Sequence, residues 1–107
     1  MSDLVQTVEA AGFADVTQSG VVLVDFFAPW CRPCRLQTPI LEQVAQDFSG
    51  RAKIVKVDTD RAQDLAVRFG VESIPTLVIL KNGEKIDQFV GVQQAETLKA
   101  ALEKALR

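Results

Sequence analysis

The chain is predicted to adopt an α/β fold, a central mixed β-sheet of about five strands flanked by about four helices, and three observations predict it. Val21–Phe27 is a β-branched and aromatic run bounded by Gly20 and Pro29, apolar at consecutive positions as a strand covered on both faces must be. A helix-period pattern and a second β-rich run at residues 52–57 follow it, the strand, helix, strand order of a right-handed crossover between parallel strands. Between two later β-rich runs, Asn82-Gly83 supplies the positive φ angles of a tight hairpin, so the same sheet contains antiparallel strands.

Taken in order, residues 4–8 read as an edge strand and residues 9–17 as a helix with Ala10, Phe13, Ala14 and Thr17 along one side. Val21–Phe27 is the middle of the sheet. Across residues 33–48, Leu36, Ile40, Leu41, Val44, Ala45 and Phe48 recur at three- and four-residue spacings, an amphipathic helix ended by Ser49-Gly50 and kinked at Pro39. Asp58-Thr59-Asp60 offers caps for a short helix over 62–69 that ends at Gly70; capping is a better use of that Asp pair than metal binding. Strands at 76–80 and 86–90 flank the hairpin turn, and a last helix at 95–106 carries Leu98, Ala101, Leu102 and Ala105 on one face. There is no internal repeat and no low-complexity linker, so helices on both faces of one sheet are expected.

The chain of 107 residues, 48% of them hydrophobic, suits a single domain spanning 1–107. A net charge of -2 with scattered Lys and Arg gives no basic field for phosphate backbones, so nucleic acid is not an expected partner. The amino terminus shows neither a charged leader nor an apolar run, and no stretch is long enough to span a bilayer. A cytoplasmic protein acting as a monomer, without a membrane partner, is expected.

Two cysteines, Cys31 and Cys34, are too close in sequence to staple distant parts of a chain, which points to reactivity or metal binding. They open the second helix, where residues three apart share a face and their sulfurs can bond. Unpaired N–H groups and the helix dipole favour an anion at that end, so Cys31 is the expected nucleophile. Cys34, a turn deeper, is suited to resolving a mixed disulfide. Asp25, an ionisable group in an otherwise apolar strand, is a candidate acceptor of the Cys34 proton with a raised pKa; its alternative role is a carboxylate satisfied by structural hydrogen bonds. With no second cysteine pair and no histidine, zinc would require Asp or Glu ligands or another chain, and covalent haem attachment lacks the histidine that Arg35 replaces. No cofactor is expected.

The segment Val24-Asp25-Phe26-Phe27-Ala28-Pro29-Trp30-Cys31-Arg32-Pro33-Cys34-Arg35 closely resembles the active-site segment of thioredoxins, whose usual form is Trp-Cys-Gly-Pro-Cys-Lys. Pro39-Ile40-Leu41, Lys56-Val57-Asp58, Ile74-Pro75-Thr76, Lys81-Asn82-Gly83 and Val90-Gly91 resemble the family's later landmarks in the expected order. The resemblance implies the thioredoxin fold and a thiol-disulfide oxidoreductase that reduces protein disulfides and is recycled by a thioredoxin reductase. It implies Cys31 as the attacking and Cys34 as the resolving cysteine, Asp25 as the buried acid and Lys56 as its charge partner. It also implies a cis bond before Pro75, with Trp30, Arg32, Pro33, Ile74, Pro75 and Gly91 forming the substrate surface. Read without the resemblance, Trp30 equally suits a core aromatic, Pro75 a trans proline starting a strand, and Gly91 a bulge.

The sequence also departs from the usual pattern. Arg32 replaces the glycine between the cysteines and is expected to stabilise reduced Cys31, making the disulfide more oxidising than in Arg32→Gly. Phe27 stands where many thioredoxins have Trp, and Glu72 lies near the docking turn. A disulfide oxidase or isomerase is the alternative within redox chemistry, and a binding module with a secondary redox pair the alternative outside it.

Overall fold

The structure, a computed structural model, describes residues 4–107. Along them run β1 (Val5–Thr7), α1 (Ala10–Thr17), β2 (Val21–Phe27), α2 (Arg32–Asp47), β3 (Lys53–Asp58), α3 (Gln63–Arg68), β4 (Thr76–Lys81), β5 (Glu84–Val90) and α4 (Ala95–Leu106). The strands form one five-stranded sheet in the order β1-β3-β2-β4-β5, so β2 is central as its composition requires. β3 pairs parallel with β1 and β2, while β4 pairs antiparallel with β2 and β5.

Side chains alternate across a strand, and β2 uses both faces. Val22, Val24 and Phe26 join Phe13 of α1 and Leu65 and Phe69 beside α3 in one buried cluster. Val21 and Leu23 join Leu41 and Val44 of α2 and Leu98 and Leu102 of α4 in the other. Each such side chain, fully buried, contributes about 1.5–3 kcal/mol of transfer free energy. Asp25 shares the α2-facing side of β2 by the same alternation, which places a carboxylate under the helix that begins with the cysteines.

The hairpin turn has Asn82 at φ 52 and Gly83 at φ 86, the left-handed pair such a turn needs. Asn82 also accepts a hydrogen bond from the Gly20 N–H through Oδ1 (2.9 Å) and donates its own N–H to Gly20 O (3.0 Å), tying the hairpin to the start of β2.

The structure corrects several local expectations. α1 turns Phe13 and Thr17 inward, while Ala10 and Ala14 are exposed. On α2 the buried positions are Cys34, Gln37, Leu41, Val44 and Ala45, so Leu36, one residue off that stripe, stands 59% exposed. α2 runs from Arg32 to Asp47 with Cys31 as its N-cap and Pro39 inside it, as the sequence places that proline. Asp58 and Asp60 do not cap α3, whose N-cap is Ala62 without a side-chain bond; Asp58 Oδ1 instead accepts the Asp60 N–H at 2.9 Å, closing a turn. β2 and β3 end side by side at Phe27 and Asp58, and the loops beyond their carboxyl ends meet there, the ordinary place for a site in an α/β sheet.

Candidate active site

The tight β2–α2 connection sets the position of the cysteines. Ala28, fully buried, accepts the Cys31 N–H at 3.1 Å, and the chain enters α2 with Cys31 extended at φ -86, ψ 112. Pro33 lies in the first turn, where a missing N–H removes nothing from the helix. Cys31 caps the helix with sulfur: the Cys34 N–H points at Cys31 Sγ at 3.3 Å, filling the role a Ser or Asp oxygen usually has. A sulfur at this terminus gains from negative charge, because an N–H donor and the positive end of the helix dipole both face it.

The two sulfurs are joined in a disulfide with their Cα atoms 5.3 Å apart. They sit in a small apolar cluster with Ala28, flanked by Phe27 and Ile74. Cys31 retains 5% exposure and Cys34 1%, so of the two the capping cysteine is the one solvent or a partner reaches.

Asp25 is completely buried, and among the described residues neither carboxylate oxygen has a hydrogen-bond partner. The expected alternative, a carboxylate satisfied by structural hydrogen bonds, is therefore not what the structure contains. Burial pushes its carboxyl up from the ordinary 3.8 to about 7, against the opposing attraction of Lys56. Lys56 faces Asp25 in the β2–β3 register without forming an ion pair with it. Its ammonium donates to Thr38 Oγ1 at 2.9 Å and lies 4.3 Å from the centre of the Phe27 ring. Thr38 in turn donates to Cys34 O at 3.3 Å, so the lysine is held against the backbone of the reactive helix.

A second loop closes on the pair. The Ile74-Pro75 peptide bond is cis, and Ile74 O lies 3.9 Å from Cys31 Sγ. Gly91, at φ 87, donates its N–H to Pro75 O at 2.8 Å; a Cβ there would meet nothing within 4 Å, so the backbone angle rather than crowding calls for glycine. Trp30 is 68% exposed, which rules out the core-aromatic alternative, and its indole N–H donates to Asp60 Oδ2 at 2.9 Å. Arg32 and Pro33 are exposed beside it, whereas Arg35 turns back to donate to Pro29 O at 3.0 Å.

All ten residues singled out in the sequence thus lie in or around one region. Two others that matter there, Gln37 and Thr38, were not singled out. Gln37 gave a usable signal, a polar residue three after Cys34 and four before Leu41 on the buried stripe. Thr38 gave none, because its partners Lys56 and Cys34 O are joined only by the fold.

Comparison with known proteins agrees with this geometry. A family model described as Thioredoxin matches residues 4–104. Thioredoxin 1 of a Nostoc species is 45% identical over 107 residues, covering 99% of this chain and all of that one. The thioredoxin of Bacillus subtilis is 46% identical over 94 residues, covering 88% and 90% of the two chains. Among solved structures, a mutant thioredoxin from Halobacterium salinarum superposes with a TM-score of 0.90 at 36% identity, over 98% of this chain and 93% of that one. A thioredoxin from Malassezia sympodialis gives 0.86 at 34%, over 96% and 91%.

Proposed function

We infer the division of labour within the site from one premise: the chain belongs to the thioredoxin family and is a protein-disulfide oxidoreductase working by dithiol–disulfide exchange at Cys31 and Cys34. The observation that carries the assignment of roles is the Cys34 N–H aimed at Cys31 Sγ, which favours the anion on that sulfur once the disulfide is reduced.

In the reduced protein, Cys31 thiolate attacks one sulfur of a target disulfide, forming a mixed disulfide and releasing the other target sulfur as a thiolate. Cys34 then gives its proton to Asp25, and its thiolate attacks Cys31 Sγ. The Cys31–Cys34 disulfide forms, the mixed disulfide breaks, and the target leaves with two electrons and, after protonation, two thiols. Asp25 suits the proton step because a carboxyl pushed up to about 7 exchanges a proton readily near neutral pH. Lys56, fixed by Thr38 and Phe27, limits how far that rise goes.

The substrate lies as an extended segment against the backbone around Ile74, Pro75 and Gly91, with Trp30, Arg32 and Pro33 forming the opposite rim. A thioredoxin reductase returns the dithiol, and the reducing cytoplasm is the compartment in which that cycle runs. The chain acts as a monomer; among the described residues no helix is long and apolar enough to cross a membrane.

The test is NADPH-coupled reduction of insulin with a thioredoxin reductase. Sustained turnover is expected in wild type and none in Cys31→Ser, while Cys34→Ser is expected to accumulate a covalent Cys31–substrate adduct. Turnover that survives Cys31→Ser, or an adduct that forms on Cys34 instead, refutes the assignment.

A further inference from the structure

Gln37 is completely buried on α2, three residues after Cys34, and a carboxamide taken from water needs partners inside the protein. Both of its partners are backbone groups of one residue 56 positions away. Gln37 Nε2 donates to Gln93 O at 3.0 Å, and Gln37 Oε1 accepts the Gln93 N–H at 2.7 Å. Two bonds from one planar group to one residue fix orientation as well as separation.

The connection continues beyond Gln93. The Gln93 side chain donates to Val90 O and Gly91 O, each at 3.2 Å, and the Gly91 N–H donates to Pro75 O at 2.8 Å. Ile74, before that proline, places its carbonyl 3.9 Å from Cys31 Sγ. A ring of polar contacts therefore runs from the reactive helix through residues 93, 91 and 75 and back to the reactive sulfur. The link from the reactive helix into this ring is the buried carboxamide of Gln37.

We propose that Gln37 is a positioning residue for protein substrates: its buried carboxamide holds the Gly91 loop at a set distance from α2 and so fixes the cleft between that loop and Cys31. The proposal rests on the reading of the Ile74, Pro75 and Gly91 backbone as the substrate surface. An apolar side chain of similar length would fill the space but leave the Gln93 N–H and C=O unpaired, and the loop would move out toward water. A small disulfide needs only Cys31, whereas a protein segment needs the sulfur and the loop at once, in register.

The experiment compares wild type, Gln37→Met and Gln93→Ala with two substrates, insulin and hydroxyethyl disulfide, and measures backbone amide exchange at Gln93. In Gln37→Met, kcat/KM for insulin is expected to fall about tenfold, mainly through KM, while the small disulfide stays within about twofold. Exchange at the Gln93 amide is expected to quicken by at least about tenfold. Gln93→Ala, which cuts only the links to Val90 and Gly91, is expected to show a smaller, equally selective loss. Equal losses on both substrates, an insulin rate within about twofold of wild type, or unchanged Gln93 exchange would each overturn the proposal. Should Gln37→Met not fold, Gln93→Ala decides, and an insulin rate equal to wild type counts against the proposal. Wild type inert toward insulin but active on the small disulfide would overturn the docking reading and this proposal with it.

Discussion

Replacing Asp25 by Asn should make the protein's stability far less sensitive to pH. Asp25 is buried without a hydrogen-bond partner among the described residues, and its carboxyl is raised from 3.8 to about 7. The folded chain therefore holds the proton more tightly than the unfolded chain does. The direction is the reverse of the ordinary salt-bridged carboxylate: the contribution of Asp25 to stability is fullest below pH 3.8, falls as pH rises, and levels off above about 7. At about 1.4 kcal/mol per pKa unit, the whole fall is roughly 4 kcal/mol, of which roughly 2–3 kcal/mol lies between about pH 5 and 8.5.

The assay is guanidinium unfolding of the oxidised protein across that interval. Histidine is absent and disulfide-bonded cysteines do not titrate, so Asp25 has little competition there beyond the terminal amino group. Asn keeps the shape and cannot ionise. Any cost of its own unpaired amide shifts the variant's curve by a constant, so the slope is the diagnostic. Wild type should lose stability with rising pH while Asp25→Asn stays nearly flat, the variant gaining by roughly 2–3 kcal/mol over the interval. Parallel curves for the two proteins would refute the claim that burial destabilises the charged form of this carboxyl.

Lys56→Met removes the cation that opposes the rise, so Asp25 should titrate still higher than about 7; carboxyl NMR titration checks it, and a downward shift rejects the role given to Lys56. Arg32→Gly should make the disulfide less oxidising in equilibrium with glutathione, by no more than about 20 mV because Arg32 is exposed; no shift, or one of opposite sign, rejects it. Phe13→Ala removes the ring by which α1 packs on the sheet, 2% exposed and 5.6 Å from the Phe69 ring, and should cost about 3–5 kcal/mol in chemical unfolding; a loss below about 1 kcal/mol would show that α1 does not depend on it.

The sequence was most legible where local rules and tertiary packing demand the same residue. α4 spans Ala95–Leu106 as its periodicity indicates, because Leu98, Leu102 and Ala105 are both the helical stripe and the buried contacts. β2 and the Asn82-Gly83 turn were legible for the same reason, one through two covered faces and the other through left-handed φ angles. Reading α2 by residue type alone put Leu36 inside and passed over Gln37. Residue 37 is buried because it lies on the stripe of Cys34 and Leu41, and a glutamine is tolerated there because Gln93 meets it from a loop distant in sequence. Asp58 was misread for a related reason: its oxygen had a nearer donor in Asp60 than in the helix. At the active site the cysteine pair and the acid in its apolar strand were legible from the residues themselves, whereas the cis bond before Pro75 followed only from the family resemblance. The hold that Thr38 and Phe27 keep on Lys56 was not legible, since it joins three separate elements.

Trp30 is the only tryptophan of a chain that has no tyrosine. Its indole stands in solvent beside Cys31, steadied by Asp60. Ultraviolet emission excited at wavelengths too long for the six phenylalanines therefore comes from a single point beside the reactive pair. On the proposed docking surface a target settling over the sulfurs would cover that point, so docking and electron transfer could be watched in real time by intrinsic light, without attaching a dye.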